Sequence, residues 1–187
     1  MKDRSGIKDE VVFAMARGRE HLSSVGLHGL VTIKLWSPDG DLLHYDEVEN
    51  LVTQVGDEYY GERAAGIASP PDQVTGMRLG TGTTAAAKTG AGAAIVTYIT
   101  GSNQAIEAGF PTSALNGSAR RIQWQSIWAA GDSTNSAITE AVITNETALT
   151  NVAGTAANTI SRVVFTAVDK GALDTLTVTW SHDLLGA

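Results

Sequence analysis

The segment of this chain with the clearest chemical precedent is a loop of small residues that ends in Lys88-Thr89. Residues 82–89 read Gly-Thr-Thr-Ala-Ala-Ala-Lys-Thr, and a Lys-Thr pair after a glycine-containing stretch is the end of a phosphate-binding loop. That loop needs glycine immediately before the lysine so that the backbone can wrap the phosphates, and Ala87 stands there instead. We therefore interpret the segment as a loop of small residues rather than a nucleotide site.

Metal-binding patterns are equally incomplete. The histidines are His21, His28, His44 and His182. No two of them lie four apart on a convincing helix with the accompanying glutamate, so we interpret them as ordinary surface or interfacial histidines. Asp39-Gly40-Asp41 offers two carboxylates for calcium but lacks the EF-hand pattern, and a hairpin turn with solvated acids is preferred. We predict no metal and no cofactor.

Catalytic groups are not singled out either. Glu107 and Glu140 would suit a glycosidase pair only at a particular separation, which a single sequence does not determine, and we interpret both as polar groups on strand faces. There is no Gly-x-Ser-x-Gly motif for a serine nucleophile, and the absence of cysteine excludes a thiolate. The prediction is that the protein is not an enzyme.

Tryptophan is the remaining residue type with a recognised binding chemistry. The four tryptophans are Trp36, Trp124, Trp128 and Trp180. Exposed, they would form a platform for stacking sugars, but in alternating strands they are more often part of a core or a subunit interface. We favour the core or interface interpretation.

The strands that would position these residues are clearest at the end of the chain. Between Asn158 and His182 two runs alternate apolar and polar side chains, separated by residues 169–174. A period of two with many β-branched residues predicts half-buried antiparallel strands, here a closing hairpin. One face of each should pack in the core, and arginine and threonine positions on the other faces, such as Arg162, become candidates for contact with neighbours.

Similar patterns recur upstream. Strands are predicted at residues 29–36, 41–45, 77–79, 104–108, 120–129 and 137–145, with a turn at 37–40 and a long loop over 80–94 that is ordered mainly if something covers it. A short helix is predicted over 54–65, with Thr53 as its N-cap and Gly66 just beyond its end. The prediction is an all-β fold, an antiparallel β-sandwich (jelly-roll-like or Ig-like) with one short helix and an N-terminal arm.

The predicted arm or short helix comprises residues 1–28, and the β-sandwich domain comprises residues 29–187. Within the arm a weak helical stripe makes Val11, Val12, Phe13 and Met15 the candidate partner contacts. The arm would lie either on a neighbouring subunit or back on its own domain, and the sequence leaves both open.

Composition limits the partners. A net charge of −7 over 187 residues disfavours nucleic acid, whose phosphates require clustered lysine and arginine. No apolar stretch approaches the roughly 20 residues of a membrane span, and the N-terminus lacks the apolar core of a signal peptide, so neither membrane insertion nor secretion is expected from this sequence. Only 18% of residues are charged, which is typical of surfaces that meet other proteins.

The order of several short segments resembles the small β-rich virion proteins of tailed bacteriophages. The matching segments are Trp-Ser-Pro-Asp-Gly at 36–40, Asn-Leu-Val-Thr-Gln-Val-Gly at 50–56, Leu-Gly-Thr-Gly-Thr at 79–83, Ile-Thr-Glu-Ala at 138–141 and the two terminal strands. The resemblance runs from about Leu30 to Trp180, and none of these motifs is a catalytic signature.

The resemblance implies a structural protein. A single domain without fibre repeats or coiled-coil heptads favours a capsid cement or decoration protein that binds the assembled major capsid protein as a homotrimer and stabilises the shell. It would be made in the host cytoplasm and lie on the capsid exterior of the virion. The alternative is a neck, tail or head-fibre component, and a carbohydrate-binding module that uses the tryptophans is a third possibility.

Overall fold

The computed structural model describes residues 26–146 and 149–185, which form two packed antiparallel sheets of five strands each. In chain order the elements are β1 (Gly26–Trp36), β2 (Leu42–Glu49), β3 (Leu51–Val52), α1 (Gln54–Ala65), β4 (Gly76–Gly80), β5 (Gln104–Ala105), β6 (Thr112–Asn116), β7 (Ala119–Trp128), β8 (Asn135–Thr144), β9 (Thr159–Lys170) and β10 (Thr175–Leu185), with 3₁₀ turns at Gly90–Ala93 and Ala156–Asn158. The all-β sandwich predicted from the sequence is confirmed. The predicted arm and its contact residues lie outside the described residues, apart from the start of β1.

The two sheets differ in strand order. Sheet A has the order β2-β1-β10-β7-β6, and sheet B has the order β3-β9-β8-β4-β5. Alternation explains how they pack: in β1 Val31, Ile33 and Leu35 are buried between the sheets while the residues between them are part-exposed. Burying one face of each sheet against the other supplies the apolar core that an antiparallel sandwich needs.

The prediction of a closing hairpin is wrong. β9 lies in sheet B between β3 and β8, whereas β10 lies in sheet A between β1 and β7, so residues 171–174 carry the chain from one sheet to the other. The first half of β9 is buried on both faces. This is typical of a strand that has a neighbouring strand at each edge and other segments packed on each face. Alternation identifies a strand and its faces, but it carries no information about which strand lies beside it.

The only α-helix of the described residues begins and ends where the sequence predicted. The Thr53 hydroxyl accepts a hydrogen bond from the Gly56 N–H at 3.1 Å, and Gly66 ends the helix in the left-handed conformation at φ 66°. Helix α1 packs on β9 at Gly56, where an added Cβ would lie 2.2 Å from the carbonyl oxygen of Ile160. Glycine is therefore required for this close approach.

Candidate functional site

The outer face of sheet A is a broad, partly exposed surface. It consists of the side chains that point away from sheet B, namely Leu30, Thr32, Lys34 and Trp36 of β1, Tyr45, Glu47 and Glu49 of β2, Thr175, Thr177, Thr179, Ser181 and Asp183 of β10, and Arg121, Gln123, Gln125 and Ile127 of β7. Ser181 and Asp183 are buried by their neighbours, and the others are part-exposed or exposed. At its centre Thr32, Thr179 and Gln125 are part-exposed.

Uncharged polar groups occupy the centre of this face. Gln125 Nε2 donates to Thr179 Oγ1 at 3.0 Å, and Gln123 Nε2 donates to Ser181 Oγ at 3.0 Å, each across the β7–β10 pair. These bonds hold the amides in fixed positions and use one N–H of each, so further amide and hydroxyl groups remain available for hydrogen bonds. A rigid array of neutral donors and acceptors has a low desolvation cost compared with charges, which favours protein–protein contact.

Both edges of sheet A are exposed strands. All five residues of β6 are exposed, including Leu115 with 73% of its surface accessible. At the other edge, β2 exposes Leu42, Leu43 and Tyr45, each about half accessible. An exposed strand edge with apolar side chains offers unpaired backbone groups to another chain, so both edges are candidates for assembly contacts.

The outer face of sheet B is different because charged side chains on it are completely buried. Arg162 and Glu140 are both fully buried and form an ion pair with Nη2–Oε2 at 2.7 Å. The Glu140 carboxylate also accepts hydrogen bonds from the backbone N–H groups of Gly82 at 2.9 Å and Thr97 at 2.7 Å, while Arg162 Nη1 donates to the Gly92 carbonyl oxygen at 3.2 Å. The pair therefore fixes the loop that covers it.

A second buried arginine, Arg78, also binds a loop to sheet B. Arg78 and Arg162 lie on either side of Val142 in the register of β4, β8 and β9. Arg78 donates to Thr144 Oγ1 at 2.9 Å and to the Thr150 carbonyl oxygen at 3.1 Å, and it forms an ion pair with Glu146. Loops on both sides of β8 are thus bound to the sheet through polar groups.

These contacts explain the order of the glycine- and alanine-rich loop. The sequence predicted that this loop is ordered mainly if another segment covers it. In the structure the loop itself covers sheet B, and hydrogen bonds to Glu140 and Arg162 beneath it hold it in place. Gly82 is required here, since an added Cβ would lie 2.4 Å from Glu140 Oε1. The expectation that Arg162 contacts a neighbouring molecule is wrong, because its guanidinium group is fully buried.

The phosphate-loop candidate has a structural partner instead. Lys88 Nζ lies 2.6 Å from Asp57 Oδ2 of helix α1, and both side chains are about half exposed. The Gln54 N–H at the start of the helix also donates to the Lys88 carbonyl oxygen at 2.9 Å. The end of this loop is thereby attached to the helix.

The described histidines lie in different surroundings and do not form a cluster. His28 is exposed and lies 3.2 Å from Glu49, while His182 is fully buried on β10, and His21 lies outside the described residues. His44 is part-buried on β2, with no hydrogen-bond partner for Nε2 among the described residues. Within residues 26–146 and 149–185, no cluster of three or more His, Cys, Asp or Glu is arranged to hold a metal ion.

His182 instead connects the helix to sheet A. Trp180 Nε1–H donates to His182 Nε2 at 3.2 Å, and Tyr60 Oη lies 2.7 Å from His182 Nδ1. Because Nε2 accepts, the neutral ring carries its proton on Nδ1 and donates to the tyrosine oxygen. Burial lowers the pKa of His182 to about 3 and raises the pKa of Tyr60, so both groups are neutral near pH 7.

The two carboxylate candidates for catalysis lie in different surroundings. Glu140 is saturated by Arg162 and by backbone N–H groups, whereas Glu107 is part-exposed on the segment that follows β5. Asp39 and Asp41 are both exposed in the turn between β1 and β2, where the Gly40 N–H donates to the Ser37 carbonyl oxygen at 3.0 Å. The predicted hairpin turn is confirmed.

Three of the four tryptophans are core residues. Trp124, Trp128 and Trp180 are at most 3% exposed, and Trp128 Nε1 donates to the Ser102 carbonyl oxygen at 2.9 Å. Trp36 is part-exposed at the end of β1, on the outer face of sheet A. The core interpretation is confirmed for the three buried rings, and they are not accessible for stacking sugars.

The features that the sequence missed are the buried charges and the contrast between the two outer faces. Arg78, Glu140 and Arg162 occupy alternating strand positions that look like solvated faces, and only the loops packed over them reveal their role. The predicted contacts Val11, Val12, Phe13 and Met15 lie outside the described residues.

Among the helices of the described residues, none is long and apolar enough to cross a membrane. Comparison of the chain with protein-family models, with curated proteins and with solved structures finds no match.

Proposed function

We propose that this protein is a capsid decoration protein of a tailed bacteriophage, which binds the assembled major capsid protein through the outer face of sheet A. The observation that supports this most is the contrast between the two sheets: loops cover the outer face of sheet B, while the outer face of sheet A remains open. The order of short segments that resembles phage virion proteins supports the same proposal.

The proposed mechanism is binding to a preformed lattice. A rigid sandwich that binds assembled capsid protein but not free subunits shifts the equilibrium toward the assembled shell. The central Thr, Ser and Gln side chains would supply hydrogen bonds at low desolvation cost, and Leu30, Trp36 and Ile127 would supply apolar contact. Together these groups suit a surface that recognises another folded protein.

Trimerisation forms part of the proposal. A homotrimer would present three copies of a modest interface to one capsomer junction, and the linked contacts would bind far more tightly than a single copy. The exposed edges β2 and β6 are the places where copies would meet. Native mass spectrometry would test this by separating monomer from trimer.

The main alternative is a neck, tail or head-fibre component in which the same sandwich joins other parts. Localisation and copy number by electron microscopy of intact virions separate these roles. Copies at the capsomer junctions of the shell support decoration, copies on the tail axis favour the alternative, and absence of the protein from virions overturns both.

A variant tests the surface directly. Thr179→Arg places a long charged side chain in the centre of the outer face of sheet A, at a part-exposed strand position. We expect loss of co-sedimentation with capsids that lack the protein, with unchanged thermal unfolding. Ala172→Arg, at an exposed position of the β9–β10 turn, is the matched control and should bind like the wild type. Equal binding by both variants would contradict the proposed surface.

A further inference from the structure

A polar cavity lies on the side of the molecule formed by helix α1 and sheet B. Its volume is about 440 Å³, and it is open to solvent. The lining residues are Val55, Glu58, Glu62, Ser69, Pro71, Asp72, Asn145, Glu146, Ala157 and Asn158. It is therefore separate from the outer face of sheet A and from the proposed capsid contact.

Carboxylates dominate this cavity. Glu58, Glu62, Asp72 and Glu146 all contribute to its lining, and no lysine or arginine does so among the residues that the structure describes there. Glu146 is compensated by its ion pair with Arg78, and Glu58 accepts a hydrogen bond from Gln54 Nε2 at 3.1 Å. The negative charge of Glu58 and Glu62 favours a cationic ligand.

Asn145 is an independent indication of a ligand. It is 5% exposed, its backbone N–H donates to the Asn158 carbonyl oxygen at 3.0 Å, and its Nδ2 donates to the Asp72 carbonyl oxygen at 3.3 Å. Asn158 and Asp72 also line the cavity, so the amide is held in its wall. Its Oδ1 has no hydrogen-bond partner within the described part of the chain. A buried acceptor left unpaired has an energetic cost that a donor from a ligand would remove.

The size of the cavity and the lack of a metal-holding cluster among the described residues indicate the kind of cation. No three acidic or histidine side chains of the described residues are arranged to hold a metal ion. A volume of about 440 Å³ is far larger than one ion needs and lies in the range of organic ligands. A guanidinium group carries several N–H donors in a plane, which suits several separated carboxylates and an amide oxygen.

We infer that this cavity binds an alkylguanidinium or alkylammonium group, with Glu58 and Glu62 providing the negative charge and Asn145 Oδ1 accepting a hydrogen bond. The group is either the side chain of an arginine or lysine from a partner protein or a free organic amine. The inference does not depend on the proposed capsid function.

Titration of the ¹⁵N-labelled full chain, followed by NMR, tests this inference. The probes are agmatine, N-acetylarginine amide and the neutral analogue butylurea. The two cationic probes should shift the Asn145 side-chain amide signals, more weakly at high salt, while butylurea should not. No shift with either cation, or an equal shift with butylurea, would overturn the inference.

Matched variants locate the binding. Glu62→Gln keeps the shape of the side chain and removes its charge, and it should raise the dissociation constant about fivefold. Glu58→Gln is the second variant in case the first does not fold, with the same expectation. Glu47→Gln, on the outer face of sheet A, is the control and should bind like the wild type. Equal dissociation constants for all three variants would show that the cation binds elsewhere and would refute the assignment.

The two sources of the cation are distinguished by peptides. An arginine-containing peptide that binds more tightly than agmatine identifies a partner protein's side chain as the ligand, because residues around the arginine then add contacts. Agmatine that binds more tightly identifies a free amine. Because capsid binding is measured on the outer face of sheet A, its failure and the failure of this assignment are observed separately.

Discussion

The outer faces of the two sheets show two ways in which a β-sandwich treats the side of a sheet that does not form the core. On sheet B, buried charges such as Arg162 and Glu140 bind the loops that cover them. On sheet A, neutral side chains such as Gln125 and Thr179 bind one another and remain accessible. The first arrangement stabilises the domain, and the second leaves the face accessible.

This contrast shows that charge content alone is a poor guide to exposure. Arg162 and Glu140 of sheet B are fully buried although both are charged, since they pair with each other and bond to backbone groups. The accessible centre of sheet A carries few charges. Variants of each face test whether the division of roles is correct.

The largest effect is expected on sheet B. Glu140→Ala leaves Arg162 buried without its partner and removes the acceptor of the Gly82 and Thr97 N–H groups. The free energy of unfolding should fall by about 3–5 kcal/mol, measured by urea denaturation. Hydrogen exchange at the two amides should accelerate, since they lose their acceptor.

The double variant Glu140→Leu/Arg162→Leu is the control for this prediction. It removes both charges together, so it should be more stable than Glu140→Ala although the loop amides still lack an acceptor. A loss below about 1 kcal/mol for Glu140→Ala would show that the pair does not fix the loop.

The second prediction compares the two faces of sheet A. Trp124→Ala removes a ring that is 3% exposed in the core and should cost about 3–5 kcal/mol of unfolding free energy in urea denaturation. Trp36→Ala, on the part-exposed outer face, should cost about 1 kcal/mol or less. Glycan-array binding that Trp124→Ala abolishes without destabilising the fold would instead support a carbohydrate-binding module.

The third prediction concerns the contact between helix α1 and sheet A. The pKa of His182 is lowered by burial to about 3, whereas an unfolded histidine titrates near 6.5. Between these values the unfolded chain binds more protons, so the histidine's contribution is complete above pH 6.5 and is lost as the pH falls toward 3. The expected loss is up to about 1.4 kcal/mol per pH unit.

Urea denaturation between pH 7.5 and pH 4.5 measures this slope. His182→Gln is less stable at pH 7.5 because it loses the contacts to Tyr60 and Trp180, but its stability should vary less with pH over this range. An equally steep slope in the variant would assign the pH dependence to other groups.

The smallest effect is expected for the ion pair at the rim of sheet A. Arg121 and Asp183 are bonded at 2.8 Å, and the pKa of Asp183 is lowered chiefly by the hydrogen bond from Arg121. The arginine is partly exposed, so the pair should contribute about 1 kcal/mol or less. A double-mutant cycle with Arg121→Met and Asp183→Asn measures the coupling, which should weaken in 1 M salt.

The same cycle on Arg162 and Glu140 should show a larger coupling with little dependence on salt, because buried pairs are screened less. Equal couplings and equal salt dependence in the two cycles would contradict the division of roles between the sheets.

Local patterns predicted most of the elements. The alternation of β1 and the caps of helix α1, Thr53 and Gly66, are properties of neighbouring residues, and the structure agrees with both. One wrong prediction was the closing hairpin, because alternation does not specify which strand is the neighbour of β9 or β10. The role of Arg162 was missed because its partners lie 22 and 70 residues away along the chain, at Glu140 and Gly92.

The amino-acid sequence by itself determined the all-β class, the helix and most strand positions, because hydrophobic periodicity and capping act over a few residues. Only the tertiary structure decided the strand order, the burial of Arg78 and Arg162, and the difference between the covered face of sheet B and the open face of sheet A. These features depend on contacts between distant segments, and such contacts form only when the two sheets and their loops pack together.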